Sequence, residues 1–184
     1  MEIFILIIAS FITSSISAVI GMGGGIILLG IMAVVIPKGY MVIALHGIIQ
    51  LISNITRAYI FRQNLKVNLI KQFLMGAIVG VIASIIIIFI LIFFFNVSSA
   101  DQIKFDVLKP LIGVFIIWSL FFKKKMKNIQ NNSFLLAGSI GGLSSVFIGA
   151  TGPLIAPFFL NKKLLKEDII ANKAICQVIT HITK

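Results

Sequence analysis

Two short polar stripes hold most of the chemistry this sequence offers. His46, Gln50, Ser53, Asn54 and Arg57 fall at i, i+4, i+7, i+8 and i+11, and Lys173, Gln177, Thr180, His181 and Lys184 repeat that spacing. At 3.6 residues per turn each set lies along one side of a helix. The stripes contain cations and neutral donors but no carboxylate, so a cavity between them would favour an anion. The two imidazoles titrate near neutrality and could also carry protons. Alone, His46 would read as a satisfied interhelical hydrogen bond; its place in a duplicated stripe favours a functional role. No nucleophile–base spacing and no cluster of metal ligands accompanies the stripes, so the chain does not read as an enzyme, and no cofactor or metal is expected.

A glycine cluster precedes each stripe. Gly21, Gly23, Gly24 and Gly25 interrupt one apolar stretch, and Gly149, Ala150, Thr151, Gly152 and Pro153 interrupt another. Each glycine costs a helix about 1 kcal/mol relative to alanine, so several together predict an unwound segment. Unwound backbone inside a membrane must face protein or a water-filled cavity. The half-helix that follows, from near Ile26, would present unbonded N–H groups and a positive dipole end, an anion site that needs no charged side chain. Pro153 suits the first turn of such a helix. Neither cluster matches a phosphate-binding loop, which argues against a nucleotide. Gly76 with Gly80 and Gly138 with Gly142 form GxxxG pairs, for which close helix packing is the expected role.

The elements that must position these residues are membrane helices. Hydrophobic residues make up 59% of the chain and mean hydropathy is +1.14, too apolar to coat a soluble globule. Six candidate segments lie near residues 3 to 36, 41 to 61, 68 to 95, 103 to 122, 133 to 160 and 168 to the end. Unbroken runs such as IIIIFILIFFF exclude the alternating pattern of a barrel. The predicted fold is an all-α, polytopic transmembrane helix bundle with an internal repeat and glycine-broken helices. The start, Met1 and Glu2, lacks the basic region of a cleaved signal, so the N-terminus is expected to be retained. Cys176, the one cysteine, can form no internal disulfide and reads as a small core residue.

The net charge of +11 reports orientation rather than nucleic-acid binding, because the basic residues gather beside apolar spans. Arg57, Arg62, Lys66 and Lys71 follow the second segment, and Lys123, Lys124, Lys125 and Lys127 follow the fourth. Both loops are therefore expected in the cytoplasm. The loop with Asp101, Lys104, Asp106 and Lys109 is then external. Lys162, Lys163 and Lys166 fall outside if the fifth segment crosses completely, and inside if its glycine break makes it re-entrant.

ALHGIIQLISNITR, residues 44 to 57, aligns without gaps on ANKAICQVITHITK, residues 171 to 184. Gln50 meets Gln177, Ser53 meets Thr180 and Arg57 meets Lys184, polar matches at positions where lipid would forbid them. Upstream, IGMGGGIIL from Ile20 aligns on IGATGPLIA from Ile148. Residues 1–127 are read as a first transmembrane repeat of about four helices, and residues 128–184 as an incomplete second repeat. Three arrangements are left open: a fragment, a truncated gene product, or a homo-oligomer whose copies complete one another.

The pattern GMGGGIILL followed by Pro37 and HGIIQLISNITR resembles the sulfite exporter TauE/SafE family, also called TSUP. GGLSSVFIGATGPLIAPFF followed by NKAICQVITHITK is similar to that family's second repeat, and the resemblance covers essentially the whole chain. It implies a multi-pass transporter of the inner (plasma) membrane, partnered by the lipid bilayer, that exports sulfite, sulfoacetate or a related small anion. It assigns the transport path to Gly21, Gly23, Gly24, Gly25, His46, Gln50, Asn54, Arg57, Gly149, Thr151, Gly152, Pro153, Lys173, Gln177, His181 and Lys184. The departure is length, since the family continues beyond the point at which this sequence ends. The alternative reading is an inactive remnant or a non-transporting membrane assembly subunit.

Overall fold

The computed structural model describes residues 2–20, 23–95, 114, 117, 133–147, 149–160 and 164–183. Among them are seven α-helices: α1 (Glu2–Ile20), α2 (Gly24–Val35), α3 (Gly39–Ile60), α4 (Val67–Phe95), α5 (Ser133–Phe147), α6 (Gly152–Leu160) and α7 (Lys166–Ile182). A single 3-10 turn, Arg62–Asn64, joins α3 to α4, and the described residues contain no strand. The fold is the all-α bundle that so apolar a chain requires. Gly39–Ile60 and Val67–Phe94 are long and apolar enough to cross a membrane. The rest of the expected 103–122 segment, and the charged loops on either side of it, lie outside the described residues.

Neither glycine-broken segment continues in its original direction. After α1, Gly23 adopts φ +102°, a left-handed conformation open to glycine at little cost, and the chain turns back. α2 then lies along α1, its Leu28, Leu29 and Met32, with Ile36 just after it, forming one buried cluster with Ala9. Gly24 makes the approach possible, because a Cβ there would overlap the Thr13 carbonyl oxygen. The hydroxyls of Ser10 and Thr13 donate to the carbonyls of Leu6 and Ala9, so these α1 side chains satisfy themselves within their own helix. Pro37 stops α2 by disfavouring helical geometry in the residue before it, and Ile36 is indeed extended at ψ 123°.

The second reversal is built in the same manner. Gly149 has φ +76°, and α6 folds back along α5 until the Phe159 ring meets the Phe134 ring at 5.0 Å, edge to face. With nine residues, α6 is about 13 Å long and cannot cross a ~30 Å hydrocarbon layer. The fifth candidate segment is therefore a hairpin of two helices and not one straight span. Hydropathy favours burial of the first broken segment as strongly as it does a span, so it cannot distinguish a hairpin from a straight crossing.

The two GxxxG pairs meet each other. A Cβ on Gly76 or Gly80 would overlap α5 backbone, and one on Gly138 or Gly142 would overlap α4 backbone. Phe73 faces Gly138 near the start of both helices, and Ser84 faces Leu143 further along, so α4 and α5 run parallel. Cys176 is buried with Phe73, Phe134, Phe158 and Phe159 where α7 packs on this pair.

α7 runs antiparallel to α3, and a polar clasp fixes its beginning. Lys66 pairs with Asp168 at 2.9 Å, and Asn64 donates to the same carboxylate at 3.3 Å. The Asn172 amide donates to the Asn64 carbonyl at 2.9 Å and accepts the Lys66 backbone N–H at 2.7 Å. Lys166 thus lies at the same end of the bundle as Arg62 and Lys71. Lys162 and Lys163 lie outside the described residues.

Candidate functional site

The two reversals meet where α3 and α7 cross. Ala150 joins the α1–α2 core, and Leu154 packs against it. From α3, the buried His46 ring reaches both breaks, with Nε2 2.8 Å from the Gly25 carbonyl oxygen and Nδ1 3.1 Å from the Gly149 carbonyl oxygen. His181 of α7 stands edge-on to it with ring centres 6.3 Å apart. Thr151 and Thr180 share a hydroxyl hydrogen bond of 3.1 Å, which ties the second break to α7.

A cavity of about 30 Å³ opens between these parts. Since one water requires roughly 10–15 Å³ on the same measure, the space suits an occupant of only a few heavy atoms. The first break lines it with Gly23, Gly25 and Ile26, and the second with Ala150, Thr151, Gly152 and Pro153, joined by Ala156. α3 contributes His46 and Gln50, α7 contributes Lys173, Gln177 and His181, and α1 contributes Ser17. No carboxylate is among these lining residues.

Two glycines seat the glutamines. A Cβ on Gly25 would come within 3.2 Å of the Gln50 Oε1, and one on Gly152 within 2.9 Å of the Gln177 Nε2. The glutamine of each polar helix thus rests on a glycine of the break that precedes it in sequence. α2 begins at Gly24 and α6 at Gly152; helix geometry gives the N–H groups of Gly24, Gly25 and Gly152 no intrahelical acceptor, whereas Ile26 and Leu154 donate to the Gly23 and Thr151 carbonyls and Pro153 has no N–H. Gly23, before α2, supplies no side-chain cap. Chemically, the arrangement offers backbone and amide donors, an ammonium and two imidazoles around a small hollow.

The structure sorts the sequence-derived candidates. Gly23, Gly25, His46, Gln50, Thr151, Gly152, Pro153, Lys173, Gln177 and His181 all line the cavity. Gly149 lies behind the lining and contributes its carbonyl to His46. Gly24 faces α1 and serves packing. Arg57 also stands away from the cavity, donating to the Ser17 hydroxyl at 2.9 Å, the Ser53 hydroxyl at 2.8 Å and the Ser53 carbonyl at 3.2 Å. It fastens α3 to α1 through hydrogen bonds from its guanidinium to neutral oxygens.

Asn54 is fully buried, and neither its Oδ1 nor its Nδ2 meets a protein hydrogen-bond partner. Gly21 and Lys184 lie outside the described residues. Ser17 was not among the candidates, although Ser10, Thr13, Ser14 and Ser17 trace one side of α1 at spacings of three and four. At the clasp, the hydrogen bond from the Lys66 ammonium holds the Asp168 carboxyl below the usual carboxylate range against the opposing effect of desolvation, with a lesser contribution from the Asn64 amide. Among the described residues, no three of His, Cys, Asp and Glu come together as metal ligands would.

The family model described as sulfite exporter TauE/SafE matches residues 6–184. No curated protein and no solved structure matches the chain.

Proposed function

Because the chain belongs to the sulfite exporter TauE/SafE family, a family of membrane anion transporters, we propose that it carries a small oxyanion through the cavity between its two reversals. Sulfite or the head of an organosulfonate is the cargo class this reading favours, and the inner (plasma) membrane its location, with the chain crossing several times. The observation that carries the proposal is the hollow, with no carboxylate among its described lining residues, built where both reversals meet buried Lys173, His46 and His181. Charged groups at membrane depth are costly and are retained where a substrate pathway needs them. A volume near 30 Å³ favours an inorganic anion over a long organic one.

In this reading the two segments, 1–127 and 128–184, are related repeats. The helix–reversal–helix–helix order of α1–α2–α3 and α5–α6–α7, with α3 and α7 antiparallel, supports that relation. The N–H groups of Gly25 and Gly152 would bind the anion's oxygens, and Gln50 and Gln177 would orient it. Rocking of one repeat against the other would then expose the site to each side in turn.

The test is sulfite binding and flux with purified protein in liposomes, alongside a Lys173→Ala variant. A charge-assisted hydrogen bond contributes about 1.5–3 kcal/mol, so losing it should weaken sulfite binding by roughly 10-fold to 150-fold. Unchanged binding removes Lys173 from the site. Absence of flux for every anion tried would favour a non-transporting membrane protein.

A further inference from the structure

This inference rests on the transport reading and concerns Ser17, the residue that α1 brings to the cavity. A serine or threonine in an apolar helix ordinarily donates to the carbonyl three or four residues before it. Within α1, Ser10, Thr13 and Ser15 do so, to Leu6, Ala9 and Phe11. Ser145, on which Ser17 falls when Ile20 is aligned on Ile148, likewise donates to the Gly142 carbonyl at 2.7 Å. Ser17 departs from that pattern. Its hydroxyl oxygen accepts an N–H from the Arg57 guanidinium at 2.9 Å, and among the described residues its own proton meets no acceptor.

Local packing accounts for the difference. The Thr13 carbonyl, four residues back, is the acceptor Ser17 would otherwise use, and Gly24 of α2 is pressed against it. Arginine has donors and no acceptor, so the direction of the Arg57 bond is fixed: it takes a lone pair of the serine and leaves the O–H over. The Ser17 side chain is buried, where an unmatched donor costs free energy. The cavity, which Ser17 lines together with Gly25, Gln50 and Gly152, is where that donor finds an acceptor. We propose that Ser17 is a cargo-binding residue that donates its hydroxyl proton to the anion, and that Arg57 is a positioning residue that acts through it.

The pair divides the work of a cation in two. A hydroxyl that accepts from a guanidinium is polarised and becomes a stronger donor, so the Arg57 charge reaches the anion through one oxygen atom. The guanidinium itself stays between α1 and α3, held from the other side by the Ser53 hydroxyl and carbonyl. An anion bound by this route forms no ion pair with Arg57 that its release would have to break. The route also ties the cargo to the contact between α1 and α3, because the same serine oxygen serves both.

The experiment measures sulfite affinity in purified protein held in lipid nanodiscs, with the helix content of every variant checked by circular dichroism. Ser17→Ala should weaken binding by roughly 10-fold to 150-fold, the range for a hydrogen bond to a charged group. Ser10→Ala removes an α1 hydroxyl that is tied to its own backbone and should leave affinity unchanged. Arg57→Gln should weaken binding by about 3-fold to 10-fold in the otherwise wild-type chain, and by less than about twofold where Ser17 is already alanine, since its effect passes through the hydroxyl. Where Arg57→Gln does not fold, Arg57→Lys, which loses the fork, takes its place in the same cycle. Wild-type affinity in Ser17→Ala overturns the proposal and leaves the transport reading standing, and equal losses from the arginine change in both backgrounds overturn the role of Arg57. Sulfite that fails to bind the wild type overturns the transport reading and this one together.

Discussion

Replacing Asn172 by alanine should damage the protein more than breaking the ion pair beside it. The Asn172 side chain is fully buried and holds the turn after α3 by two cross-element bonds, to the Asn64 carbonyl and from the Lys66 N–H. Its third bond, to the Asp168 carbonyl at 2.7 Å, stays within α7. At about 1 kcal/mol net per bond, plus the penalty for a backbone N–H and a carbonyl left shielded, the loss should total roughly 2–3 kcal/mol. For a chain of this length that lowers the midpoint of thermal unfolding by roughly 5–10 °C. Lys66 is 47% exposed, so Lys66→Ala should cost less than about 1 kcal/mol. Thermal unfolding in one detergent, followed by tryptophan-independent light scattering and circular dichroism, compares the two variants directly. If Lys66→Ala proves as harmful as Asn172→Ala, or if the latter shifts the midpoint by no more than a degree or two, the amide is not what holds the clasp.

Gly24→Val should force α1 and α2 apart, because its Cβ has no room beside the Thr13 carbonyl; a loss of about 1–3 kcal/mol, read as a lower unfolding midpoint, is expected, with Val34→Ala on the exposed face as a near-neutral control. The clasp should also depend on pH in a defined direction. The Asp168 carboxyl is held low, chiefly by its bond with Lys66, so its contribution is fully present above the unfolded value of about 3.9 and is lost as pH falls through the folded value. Stability of the wild type relative to Asp168→Asn should therefore stay level from neutrality to about pH 5 and decline only in stronger acid; a difference that changes around neutrality would contradict the assignment.

The facing polar stripes were legible because period and residue type alone identify them. His46, Gln50, Lys173, Gln177 and His181 lie on one cavity, as their spacing suggested. Spacing gives a side of a helix but not a depth, and so it could not separate Arg57 and Asn54, which share the α3 stripe yet lie off the cavity. The glycine clusters predicted broken helices, but the reversal of direction depends on the positive φ of Gly23 and of Gly149 and on Gly24 fitting against Thr13. Composition cannot reveal those geometries. The side on which α7 begins needed the pairing of Lys66 with Asp168, a contact between residues about a hundred positions apart in the chain. Ser17 escaped notice because a hydroxyl in an apolar helix more often bonds its own backbone, as Ser10 and Thr13 do.

The packing of Cys176 against four phenylalanines has a practical consequence. The sole thiol of the chain lies in a shielded seam between the last helix and its neighbours, so a membrane-permeant maleimide can alkylate it only when that seam parts. The protein therefore carries a native chemical clock for the motion, and its labelling rate with and without cargo can be read without engineering a single position.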